Sequence, residues 1–169
     1  MKSFMLVCMS VVATSFVGCK GDNGAAAGNA SKVNSLYVAT NEPSGAIPIG
    51  QARSSAKNDE SIVLVGHIGG SMKPFVEGLA AFTIVDPKVP YCAAAEGCPT
   101  PWDYCCEQNA VKENVAMVKV VDDSGTVVSS DARKLLGVKE LSLVVVEGKA
   151  QRDDAGNLTL LAKQVYLKK

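Results

Sequence analysis

From residue 61 to residue 167, short runs rich in Val, Ile and Leu alternate with Gly, Pro and Asp, a spacing that predicts strands joined by turns. The first strand is residues 61–68, β-branched and ending at Gly69-Gly70, where a bulge or tight bend is expected. Residues 80–85 form the second and stop at Asp86-Pro87. The third, residues 115–121, is closed by Asp122-Asp123-Ser124-Gly125. Residues 141–148 and 158–167 are the fourth and fifth, joined through the turn around Asp153, Asp154 and Gly156. Between the third and fourth strands, Ser130 or Asp131 caps a short helix that runs through Leu136 and ends at Gly137. A second short helix, within residues 47–57 with Pro48 near its start, is expected before the first strand.

Three strands, a helix and two strands is the order of the OB-fold, a five-stranded Greek-key barrel. The chain resembles that family in Val65-Gly66, in Phe82 to Asp86, and in Val145-Val146-Glu147-Gly148-Lys149-Ala150. The resemblance implies a mainly β, OB-fold-like antiparallel barrel over residues 46–169, carrying a Cys-rich insertion at residues 87–110. An open antiparallel sheet or a β-sandwich is the competing arrangement of the same strands.

The N-terminal stretch has a different pattern. Residues 1–18 contain one early Lys2, then an apolar run from Phe4 to Ala13, then small residues, which together read as a signal peptide too short to span a membrane. Its end, Phe16-Val17-Gly18-Cys19, resembles the lipobox of bacterial lipoproteins, with phenylalanine where that family usually has leucine. The resemblance implies that Cys19 carries diacylglycerol and an N-acyl chain, which anchor the mature protein to the exported side of a membrane in the cell envelope. Residues 19–45 follow as the lipidated cysteine and a flexible tether, because residues 20–34 are Gly, Ala, Asn, Asp and Ser with almost nothing to bury. No later apolar run reaches spanning length.

Charge narrows the partners. The chain has 17 basic and 17 acidic residues, and loss of Lys2 with the leader makes the remainder minus one. So balanced a chain has no basic field to attract nucleic acid, and none is expected as a partner. The strands also lack the stacking aromatics of a single-strand binder.

The chemistry concentrates in Cys92-Ala-Ala-Ala-Glu-Gly-Cys98-Pro-Thr-Pro-Trp-Asp-Tyr-Cys105-Cys106. Removal of Cys8 and lipidation of Cys19 leave these four as the mature chain's only free-standing cysteines. Four thiolates suit a soft metal, Zn or Cu, although the gaps are longer than those of common zinc knuckles and the last two are adjacent. Export equally favours two disulfides among Cys92, Cys98, Cys105 and Cys106, which would stiffen the loop. Iron–sulfur ligation is disfavoured because the leader lacks a twin-arginine signal. His67, the one histidine, is a candidate to complete a mixed sulfur and nitrogen site, with Met72 just beyond it as a thioether donor. Trp102 and Tyr104 are candidates for a binding surface for a protein or envelope partner; the alternative is that Trp102 covers the barrel end.

Catalysis is not expected. No Ser/His/Asp arrangement, phosphate-cradling loop or H-E-x-x-H helix is present, and a thiol oxidoreductase would want the missing Cys-x-x-Cys. The sequence therefore predicts a lipid-anchored, non-catalytic binding module. Its Cys-rich loop either binds a metal or is a disulfide-stapled surface for a partner.

Overall fold

The computed structural model describes residues 35–169. The expectations for the signal peptide and for Cys19 lie outside the described residues. The elements in chain order are α1 (Ile49–Ser55), β1 (Ser61–Ile68), β2 (Ala81–Val85), α2 (Gln108–Glu113), β3 (Val115–Val120), α3 (Ala132–Leu136), β4 (Leu143–Arg152) and β5 (Leu158–Leu167). Two single-turn 3-10 helices, Ala94–Glu96 and Pro101–Asp103, lie between β2 and α2.

The five strands form one mixed sheet in the order β1-β2-β3-β5-β4, and β4 pairs back with β1, so the sheet closes into a ring. Four of the pairings are antiparallel, but β3 and β5 run parallel, Met117 opposite Thr159 through Val120 opposite Ala162. The expected purely antiparallel arrangement is corrected by that contact. The chain leaves β3, crosses the base of the ring as α3 and forms β4 on the far side, so β5 can only return beside β3 in the same direction. Closure also leaves no open sheet and no second stacked sheet among the described strands.

Alternation along the strands fills the interior. Ile62, Leu64 and Ile68 of β1, Ala116, Val118 and Val120 of β3, and Val144, Val146 and Ala150 of β4 point inward and are buried together. On β5 the inward set is Leu158, Leu160, Ala162 and then Val165, a break in period. The reason is a bulge: Glu147 pairs with Gln164 but Gly148 pairs with Ala162, so Lys163 is an extra residue on β5. Lys163 and Gln164 both face solvent as a result.

Several boundaries move for local reasons. The fourth strand starts at Leu143 rather than 141, because Leu141 adopts a left-handed φ of 60° as the chain turns in, its N–H donating to the Ile68 carbonyl. It continues to Arg152 because β5 pairs with it along that whole length. Asp131 caps α3 as expected, accepting from the Arg133 N–H at 2.9 Å, and Ala132, Leu135 and Leu136 plug one end of the ring. Before α1, the Val165 N–H donates to the Tyr37 carbonyl, the Ala39 N–H to Val165 and the Ile47 N–H to Val63. Tyr37, Val38 and Ile47 therefore pack on the core.

Candidate metal centre

The insertion between β2 and β3 is built on its own small core. Ile84 and Val85 are both buried although they point to opposite faces of β2, because Ile84 faces the ring interior and Val85 faces the insertion. Val85, Val89, Tyr104 and Val111 form this second cluster, backed by Ala110 and Val115. Helix α2, which the Pro-rich reading of the insertion did not foresee, supplies Val111 and Ala110 to it. The loop is joined to the end of β1 by the Gly70 N–H, which donates to the Trp102 carbonyl at 2.8 Å. Its neighbour Gly69 has no room for a side chain: a Cβ there would come 2.6 Å from the Trp102 oxygen and 2.8 Å from the Tyr104 ring.

On this platform the four cysteines converge. None is disulfide-bonded. The Cys105 sulfur is 3.4 Å from that of Cys92, 3.5 Å from that of Cys98 and 3.8 Å from that of Cys106. A tetrahedral zinc ion with Zn–S bonds of about 2.3 Å holds its sulfurs about 3.8 Å apart. The three contacts of the Cys105 sulfur therefore have nearly the spacing such an ion imposes.

Two carboxylates join it. Donor atoms of Cys92, Cys98, Asp103 and Cys105 all lie within 4.8 Å of one another, and so do those of Cys92, Glu96 and Cys106. Such groups are close enough to hold a metal ion. Asp103 also shapes the loop, accepting from the Cys105 N–H at 2.9 Å and from the Thr100 hydroxyl at 2.7 Å, while Glu96 accepts from the Ala93 N–H at 2.7 Å. Sequence reasoning missed both acids. The signal was present, since each lies within four residues of a cysteine, but acidic residues in turns are too common to stand out.

Crowding the thiols sets their proton order. Hydrogen bonding from Cys105 holds the Cys92 thiol below its ordinary pKa, and the same contact, with that to Cys98, pushes Cys105 up. Cys106 is raised as well: its contact with Cys105 acts downward, but the contact and charge of Cys92 outweigh it. Cys92 thus loses its proton before Cys105 and Cys106, and the Cys106 thiolate forms against the negative charge of Cys92. A bound cation removes that opposition.

The remaining candidates fall around the knot rather than in it. His67 belongs to neither donor group; its Nδ1 lies 3.1 Å from the Leu141 carbonyl oxygen and its ring meets the edge of Tyr91. Met72 is exposed and lines an open groove with Lys73, Asp103, Cys105 and Gln108. Trp102 is half-buried, its indole N–H donating to the Met72 carbonyl. Tyr104, expected at a binding surface, is instead fully buried in the second cluster, because its left-handed φ of 55° turns the side chain inward while Cys105 and Cys106 turn out. Burial beside Tyr91 and Cys92 raises its pKa to about 12.

The fold and site together define a mainly β ring of five strands that carries, on one inter-strand insertion, a cysteine knot able to hold a metal ion. A scan against protein-family models finds no match, and no curated protein matches the chain.

Proposed function

We propose that the protein is a lipid-anchored, exported, non-catalytic zinc-binding module of OB-fold type. One observation carries the metal reading: three sulfurs, those of Cys92, Cys98 and Cys105, meet at 3.4 and 3.5 Å with the Asp103 carboxylate inside the same 4.8 Å span. Three thiolates and a carboxylate make a four-donor set, the number a tetrahedral zinc site takes. The oxygen donor selects among soft metals. Cu(I) favours sulfur alone, whereas Zn²⁺ accepts sulfur and carboxylate together. The OB-fold reading is supported by the ring order β1-β2-β3-β5-β4 with a helix between β3 and β4. Export and anchoring are supported by the leader pattern and by Gly18-Cys19.

The test is elemental analysis and thiol counting on full-length protein extracted in detergent from its own membrane. The expected result is stoichiometric zinc, with the Cys92, Cys98 and Cys105 thiols blocked until a chelator removes it. Metal-free protein with no titratable thiols, before or after chelation, would establish the rival pair of disulfides and end the zinc reading. Anchoring is tested separately: Cys19→Ala is expected to move the protein to the soluble fraction with its fold unchanged. Retention of that variant in the membrane, with no lipid on the wild-type residue, overturns the lipoprotein assignment.

A further inference from the structure

We infer that the knot is built for two zinc ions sharing the Cys92 sulfur, an inference that rests on the zinc reading above and extends it. Six donors, not four, are gathered within the loop. They fall into two sets, Cys92, Cys98, Asp103 and Cys105 in one and Cys92, Glu96 and Cys106 in the other, and Cys92 is the only residue in both. One tetrahedral ion takes four donors. With the first set satisfied, Cys106 and Glu96 still lie within 4.8 Å of each other and of Cys92, a sulfur and a carboxylate left over as donors. A thiolate has lone pairs to spare after one metal bond, so Cys92 can bridge to a second ion. Each binding event is balanced simply: a metal–sulfur bond forms and any thiol proton leaves to solvent.

The two positions differ in exposure, and that gives them different behaviour. Cys92 is buried at 4% exposure; in the first set Cys98 and Asp103 are half-buried and Cys105 is exposed, whereas in the second both Glu96 and Cys106 are exposed. The first ion has four protein donors and limited access to water. The second has three protein donors and one position open to solvent, so it exchanges while the first is retained. The exposed position is where an incoming metal-binding thiol or carboxylate gains access.

The experiment is titration of Zn²⁺ into reduced, metal-free, full-length protein in detergent, read by native mass spectrometry and by competition with a chromophoric chelator. Two equivalents are expected, one held at least tenfold more tightly than the other. Glu96→Gln, at an exposed position that should not disturb folding, weakens only the second equivalent, and Cys106→Ser abolishes it. Cys92→Ser loses both ions, with circular dichroism confirming that the ring remains folded. If the wild type takes one equivalent and Cys106→Ser and Glu96→Gln leave its affinity unchanged, the second site is wrong while the one-ion reading survives. No zinc bound by the reduced wild type overturns the zinc reading itself. Two equivalents that both survive loss of the Cys92 sulfur overturn the bridge.

Discussion

Single atoms decide several properties of this domain. The Tyr104 hydroxyl is buried without a hydrogen-bond partner, a cost the ring need not bear. Tyr104→Phe should therefore leave stability unchanged or raise it by up to about 1 kcal/mol, measured by denaturant unfolding. A clear loss of stability would show that the hydroxyl is satisfied in solution. The same residue gives an alkaline signature. Its folded pKa, near 12, is above its ordinary value of 10.0, so its contribution is fully present below pH 10 and is lost as pH rises from about 10 to 12. Tyr104→Phe removes that part of the decline, a difference visible in unfolding curves taken across that window. Gly148 is a second such position: a Cβ there would collide with the Leu161 carbonyl across the strand pair, and at 2.9 Å with Leu160. Gly148→Ala should cost about 2 kcal/mol through overpacking, seen as a lower denaturation midpoint with unchanged slope.

At the level of elements, the informative case is the start of α1. Its N-cap residue is Pro48, which makes no side-chain cap bond. The cap comes instead from the far end of β2, where the buried Asp86 carboxylate accepts from the Ile49 N–H at 2.8 Å and from the Lys88 N–H at 3.0 Å. Asp86-Pro87 is a strand stop, as its residue types predict, but nothing local announces that this carboxylate also closes a helix 37 residues earlier. Asp86→Ala removes both bonds and leaves a buried N–H unpaired, at an expected cost of about 2 kcal/mol in unfolding free energy. Asp131→Ala, which removes the local cap of α3, should cost about half as much, because Arg133 is exposed and water can take the place of the carboxylate. Equal effects from the two variants would contradict the distinction between a buried and an exposed cap.

At the scale of the whole molecule, the ring and the insertion meet through the second cluster and also at a seam of Gly69 and Gly70 against Trp102. Gly69→Ala tests it. The added methyl presses on the Trp102 carbonyl and the Tyr104 ring, and the small insertion core yields before the larger ring core does. Zinc affinity is expected to fall about tenfold, as for residues that orient metal ligands, while the thermal midpoint changes little. A large drop in midpoint with unchanged affinity would reverse that order of compliance. Length is a further whole-molecule property. Residues 37–47 contribute backbone hydrogen bonds to β5 and β1, so a chain starting at residue 35 should keep a cooperative thermal transition. One starting at residue 48 should melt at a clearly lower temperature.

The sequence by itself determined the strands, their order, the capped helix between β3 and β4, and the stretch in which the chemistry lies. These are local signals: β-branched runs stop at Asp86-Pro87 and at Asp122 to Gly125, Asp131 stands before a helix, and cysteine identity needs no neighbour to be read. Long-range pairing was decided only in three dimensions. The parallel contact of β3 with β5 and the closure of β4 on β1 depend on residues more than 35 positions apart meeting in one register, and the bulge at Lys163 depends on how β5 meets β4 across their turn. The site divides the same way. The four cysteines were legible, but the inclusion of Glu96 and Asp103, the burial of Tyr104 and the separation of His67 from the donor groups follow from where the loop backbone turns. A metal site is a set of distances, and sequence spacing constrains those distances only once the fold has fixed the path between the residues.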